Sequence, residues 1–183
     1  MKSPKLHIEP LPKTANAPFD LLELADPSRN QIEKYLRTGS CYVAKVEEEV
    51  VGVLVLHSID AAQTEIKNIA VKKTAQGKGI GSALLQHAVT VARNSGFERL
   101  IIGTGNSSIR QLALYQKAGF ELCRIERDFF VRNYPEPIFE NGIRCKHLVV
   151  LEMTLQGSVF LDRNTPRARL CTMNYLSETA SGI

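Results

Sequence analysis

No stretch of this chain approaches the roughly 18 consecutive apolar residues of a membrane-spanning helix, and the opening MKSPKLHIEP has no apolar signal core. Cysteine is scarce and scattered. Cys41, Cys123, Cys145 and Cys171 form no C-x-x-C pair, which argues against a zinc site and against a disulfide framework. The expected setting is the cytoplasm, with thiols reduced. A strong excess of either charge is also missing. The 23 Lys and Arg against 19 Asp and Glu leave +4 at pH 7, which admits an anionic ligand but falls well short of a nucleic-acid binder. What remains is an ordinary globular composition, 44% hydrophobic and 23% charged, in 183 residues suited to one buried domain.

Periodicity orders the chain. A short strand is expected at Leu6–Leu11, a short helix at Pro18–Ala25, and a second helix from the N-cap Ser28 to about Leu36, stopped by Gly39. Cys41–Val46 and Val50–Ile59 read as a hairpin around the acidic Glu47–Glu49 turn, and Gln63–Val71 as a further strand. A helix over Gly79–Asn94 carries Ile80, Leu84, Ala88 and Val91 on one face and ends at Gly96. Strand Arg99–Ile102, helix Ser107–Ala118 and strands Phe120–Ile125 and His147–Leu155 follow, with a loop over Glu126–Lys146. The order predicts a mixed α/β domain over 1–156, antiparallel at first and parallel near its middle. The tail 157–183 has no clear period and reads as irregular.

Between the strand and the helix lies QGKGIG, residues 76–81, with three glycines at alternate positions. Glycine is costly inside a helix and useful where a backbone must bend or approach a ligand closely. A strand, a glycine loop and a helix start together make an anion site, because unpaired amides and the helix dipole point the same way. The P-loop pattern G-x-x-x-x-G-K-[ST] fails, since Lys78 is followed by Gly79. The dinucleotide pattern G-x-G-x-x-G fails as well, because the glycines run G-x-G-x-G and several strands precede them. A tight turn without a ligand is the bland alternative.

QGKGIG does fit Q/R-x-x-G-x-G/A, and here the chain resembles the GNAT superfamily of N-acetyltransferases. EIKNIAV upstream is similar to the family's fourth strand, and LALYQKAGF (Leu112–Phe120) to its second motif, where a helix carries a tyrosine and ends in Gly-Phe. The resemblance implies a GNAT acyl-CoA N-acyltransferase fold: a mixed, mostly antiparallel sheet flanked by helices, with a central parallel strand pair that splays apart. It implies acetyl-CoA as co-substrate and no metal. The diphosphate would be cradled by the backbone of Gln76, Gly77, Lys78, Gly79, Ile80, Gly81 and Ser82, while Ile69, Ala70 and Val71 run beside the pantetheine arm. Lys78 adds charge there or is simply solvated. The asparagine that the family often places seven residues before the tyrosine is replaced by Ser108, with Asn106 two residues earlier. Either could contact the pantetheine, or Asn106 caps the helix.

Amine acetylation by a thioester needs a neutral amine, a polarised carbonyl and a proton for the departing thiolate. An alkylamine of pKa about 10.4 is neutral only about one part in 10³ at physiological pH, so deprotonation needs help. Glu65, eleven positions before Gln76, takes the place of the general base that some histone-acetylating members use; the alternative is a solvent-facing strand glutamate. His57 is a second, weaker candidate base, and the alternative is a satisfied structural histidine. Tyr115 is the candidate acid, since the family's tyrosine points at the sulfur; the alternative is an aromatic that packs the helix on the sheet. A main-chain amide in Ile69–Val71 would polarise the carbonyl.

The expected activity is transfer of an acetyl group from acetyl-CoA to a primary amine, by direct attack in a ternary complex. A non-catalytic acetyl-CoA-binding regulatory module is the alternative, and it would need neither Glu65 nor Tyr115. The acceptor is expected to be a small molecule, met by Pro18–Leu36 and Asp128–Lys146, where Phe129, Phe130, Tyr134 and Phe139 accompany Glu136 and Glu140. Neither nucleic acid nor membrane is an expected partner, and a homodimer is left open.

Overall fold

The computed structural model describes residues 5–155. The tail expected to be irregular, 157–183, lies outside the described residues. Among the described residues, nine strands and five α-helices run β1(Leu6–Pro10), α1(Phe19–Leu22), α2(Arg29–Thr38), β2(Ser40–Val46), β3(Glu49–Ser58), β4(Gln63–Val71), α3(Ile80–Asn94), β5(Arg99–Gly105), α4(Ile109–Lys117), β6(Glu121–Glu126), α5(Phe129–Asn133), β7(Ile138–Glu140), β8(Ile143–Cys145), β9(Leu148–Thr154). Seven strands form one sheet in the order β1-β2-β3-β4-β5-β9-β6, and β7-β8 form a separate hairpin. All pairs in the large sheet are antiparallel except β4–β5, which are parallel and joined through α3. The α/β class and the parallel pair match the expectation. The 126–146 segment does not, because it holds α5 and the β7–β8 hairpin rather than an open loop. α1 is shorter than expected, one turn against a span that reached Ala25.

Local chemistry sets the helix ends. The Ser28 hydroxyl caps α2 by accepting from the Gln31 amide at 3.4 Å. Both α3 and α4 end in Gly-Phe for one reason. Gly96 and Gly119 adopt φ +80° and +97°. The next amides, Phe97 and Phe120, then reach back to the carbonyls of Ala92 and Tyr115, both at 3.1 Å. This reach of five residues closes the orphan carbonyls and packs the phenylalanine on the helix's last turn. Cys41 and Cys145 are free thiols.

The sheet separates two apolar layers. One packs α3 and α4 through Leu84, Leu85, Ala88 and Tyr115 against Leu54, Leu56, Ile66, Leu100 and Ile102. The other packs α1 and α2 through Leu22, Ile32 and Tyr35 against Val53, Val55 and Ala70. A smaller group, Ile101, Leu148 and Val150, sits under Phe129 and Phe130 of α5. Burying Ile66 on the first face and Ala70 on the second needs a shift of the two-residue alternation. The register supplies it: Leu56 pairs with Ile66 and Val55 with Asn68, so Lys67 is an extra residue. Such a bulge bends its strand and strengthens the twist. The β4–β5 pairing ends at that point, at Ile66↔Ile102, while β4 runs on to Val71 and β5 to Gly105. The two strands therefore part beyond the bulge.

Candidate active site

The glycine loop leads into α3. Gly77 and Gly79 have φ +75° and +81° with a negative φ at Lys78 between them, an alternation that turns successive amides into one concavity. Gly79 is also the N-cap of α3, and its carbonyl accepts the first helical bond, from Ala83 at 3.0 Å. The amides of residues 77–82 have no acceptor among the described residues. A Cβ at Gly77 or Gly79 would meet nothing within 4 Å, so the space over the loop is open. At Gly81 it would lie 3.6 Å from Leu114 of α4 and 3.9 Å from Val71 of β4, ordinary contact that joins loop, strand and helix. Gln76 ties the turn down by donating to the Val71 carbonyl at 3.0 Å. Free amides, a helix dipole and the exposed Lys78 and Ser82 together suit a diphosphate.

The freed edge of β4 faces the gap in an alternating way. Lys72 donates to Val51 at 2.8 Å. In an antiparallel ladder the bonded pairs alternate, so Ala70 and Asn68 also turn their amides toward β3, and Val71 and Ile69 turn theirs away from it. The Gln76 bond to the Val71 carbonyl on the outer side agrees. Of the three residues expected along the pantetheine arm, Ile69 and Val71 thus offer amides to the gap, and Ala70 offers its amide to β3.

Tyr115 lies in the last turn of α4, 5% exposed, with its ring centroid 6.4 Å from that of Phe120. Burial alone pushes its phenol far above the usual tyrosine range, so it stays protonated. Among the described residues the hydroxyl has no hydrogen-bond partner. The ring is part of the core, as the packing alternative has it, and the phenol remains protonated.

The two candidates for the pantetheine contact are engaged elsewhere. Asn106 accepts from the amides of Lys146 and His147 at 2.7 and 2.8 Å and donates to the Arg144 carbonyl at 3.1 Å. Its amide side chain pins the β8–β9 connection and caps no helix. The Ser108 hydroxyl, at the N-cap of α4, donates to the Glu140 carboxylate and accepts no bond from a backbone amide.

Glu65 shares a face with its register partners His57 and Ile101, the side of the sheet opposite α3. It is 6% exposed and pairs with Lys67 at 2.9 Å, so it is not the solvent-facing glutamate of the bland reading. His57 meets Thr38 at 3.0 Å. On this same face Phe129 and Phe130 pack down on the sheet, Phe139 is exposed, and Tyr134 reaches across to Asp26 at 3.3 Å. Beside them is a cavity of about 210 Å³ lined by Phe130, Tyr134, Glu136, Arg144 and Cys145. Asp26, Tyr35 and Asn68 escaped the sequence reading. The one available signal was an asparagine inside the otherwise strand-forming IKNIAV.

Among the described residues no group of three or more His, Cys, Asp or Glu could hold a metal, and no helix is long and apolar enough to cross a membrane. Residues 9–120 match the family model described as the acetyltransferase (GNAT) family. The uncharacterized N-acetyltransferase YvbK of Bacillus subtilis (strain 168) is 47% identical over 155 residues, 85% of this chain and 100% of that protein. A GNAT family acetyltransferase from Elizabethkingia anophelis, solved with acetyl-CoA bound, superposes with a TM-score of 0.81 at 48% identity, covering 82% of this chain and 98% of its own. An IAA acetyltransferase from Bacillus cereus ATCC 14579 gives 0.80 at 50% identity, covering 82% and 100%.

Proposed function

The chain belongs to the acetyltransferase (GNAT) family and is an acetyl-CoA-dependent N-acetyltransferase, and from that premise we propose that it acetylates a primary amine of a small-molecule acceptor by direct attack in a ternary complex. The observation that carries the reading is the set of unengaged amides at 77–82 beside the parted β4 and β5. Acetyl-CoA supplies an activated acyl thioester; the protein supplies position and proton transfer.

The loop amides hold the diphosphate. The outward amides of Ile69 and Val71 lie along the arm, and one of them donates to the carbonyl oxygen as negative charge develops there, a preorganised contribution of about 3–4 kcal/mol. Tyr115 holds its proton until the thiolate leaves and then donates it. Glu65, on the opposite face, takes the amine proton directly or through water. The acceptor therefore approaches from the α1, α2 and α5 side, while the thioester enters from the α3 and α4 side. This division of faces favours direct attack over a covalent enzyme intermediate, because the two substrates can meet in the gap between β4 and β5. The cytoplasm is the proposed setting, and a homodimer is compatible with it.

A turnover screen with polyamines, aminoglycosides, amino acids and peptide N-termini, read by release of the coenzyme A thiol and by product mass, tests the proposal. Amine-dependent release with a matching N-acetyl product is expected, with intersecting initial-velocity lines. Acetyl-CoA hydrolysis without an acetylated product, or parallel lines, would overturn it.

A further inference from the structure

On the acceptor face, two walls meet over β4. The α1–α2 connection brings Asp26, and the segment after α5 brings Tyr134, whose hydroxyl donates to the Asp26 carboxylate at 3.3 Å. The same carboxylate oxygen accepts from the Ser28 amide at 2.9 Å. Beneath lies Asn68, 2% exposed, whose Nδ2 donates to Tyr35 Oη and to the Leu22 carbonyl, both at 2.9 Å. The Leu22 carbonyl also accepts the Asp26 amide at 3.1 Å, so Asn68 and Asp26 belong to one network. Asn68 precedes Ile69, whose amide faces the gap, which places this network beside the reacting centre.

The network is rich in acceptors and short of donors. Asn68 Oδ1 is buried with no partner, an uncommon and costly condition. Burial is also the main reason that the Asp26 carboxyl sits above its usual range, with Ser28, Tyr134 and Lys67 only partly offsetting it. Lys67 is the cation that acts on Asp26, and it already pairs with Glu65 at 2.9 Å. An incoming group with N–H donors and a positive charge would satisfy both deficits.

Resting on the amine-acetylation reading above, we infer that Asp26, Tyr134 and Asn68 form a recognition clamp for a positively charged group of the acceptor other than the nitrogen that is acetylated. Two groups are required by the chemistry. A carboxylate stabilises the ammonium form of an amine it contacts, and an ammonium has no lone pair for attack. The nitrogen that reacts must be neutral, so the cation held by Asp26 is a second one. The acceptor class is a di- or polyamine, or an amine bearing an equivalent cation.

The test compares 1,5-diaminopentane with n-pentylamine, equal in chain length and differing in one ammonium, by coenzyme A release. The expected kcat/KM is roughly 10- to 100-fold higher for the diamine, the worth of one charge-assisted contact. Asp26→Asn should bring the ratio close to one through a higher KM for the diamine, and Asp26→Glu should restore part of the preference. Asp26→Asn should melt no lower than the parent, since it removes a carboxylate that burial disfavours near pH 7; a purely structural Asp26 would lower the melting temperature. For the unaltered enzyme, raising salt should shrink the diamine's advantage and leave n-pentylamine turnover unchanged. Equal turnover of the two amines, a ratio that Asp26→Asn leaves intact, or a preference insensitive to salt overturns the clamp. If monoamines or peptides are acetylated without such a preference, the clamp fails and the acetyltransferase reading stands. If acetyl-CoA binds and no amine is acetylated, the small-amine reading fails, and the clamp with it.

Discussion

Replacing Gly79 with leucine separates the fold from the cofactor site. The residue sits at φ +81° and ψ 0° at the head of α3, and a Cβ there would meet nothing within 4 Å. The folded protein therefore incurs no clash, only the cost of a side chain in the left-handed region, about 1–2 kcal/mol. For a domain of this size that lowers the melting temperature by roughly 2–8 °C. The cofactor loses much more. The new side chain fills the open space over the amides of residues 77–82, where the proposed diphosphate site lies. Each charge-assisted bond to an amide is worth about 1.5–3 kcal/mol, so screening two of them costs about 3–6 kcal/mol. That corresponds to an affinity for acetyl-CoA weaker by roughly 10²- to 10⁴-fold. Titration calorimetry with acetyl-CoA measures it. Acetyl-pantetheine, which lacks the diphosphate, is the control and should bind both proteins alike. A folded Gly79→Leu protein that binds acetyl-CoA within about threefold of the parent would remove the diphosphate from this loop and refute the reasoning.

Other substitutions address single roles. Tyr115→Phe keeps the ring against Phe120 and loses only the phenol, so turnover should fall about 10²-fold with the KM for acetyl-CoA unchanged; equal turnover would end the acid role. Because burial raises the Tyr115 pKa, its protonated form persists as pH rises, and the pH–rate profile should show no alkaline loss from this group below about pH 10. Asn106→Ala removes three bonds that anchor residues 144–147 and should destabilise the fold by about 1–3 kcal/mol while acetyl-CoA affinity holds; a selective loss of affinity would restore the pantetheine contact to Asn106. Gly105→Ala would place a Cβ 2.4 Å from Cys145 Sγ, so a denaturation midpoint lower by the equivalent of about 1–3 kcal/mol is expected, and an unchanged midpoint would contradict the packing.

The acetyl-CoA half of the site is legible in the chain because it is local. QGKGIG, the strand before it and the helix after it are contiguous, and their chemistry follows from backbone conformations that only glycine adopts readily. LALYQKAGF is local too: a helix, a left-handed glycine and an aromatic that folds back on the last turn. What no short window contains is the extra residue at Lys67. It exists only as a mismatch between β3 and β4, yet it turns Asn68 toward α2 and coincides with the parting of β4 from β5. The fate of Asn106 is similarly non-local, since its partners lie about forty residues on, at 144–147. The acceptor wall depends on Asp26 meeting Tyr134 across 108 residues, a contact that periodicity cannot foresee. Composition, glycine placement and alternation thus determined the α/β class and the conformation of the glycine loop, because these arise from neighbours along the backbone. Tertiary structure alone decided which amides face the gap and that Asp26 meets Tyr134, because both depend on the register of strands and loops distant in the chain.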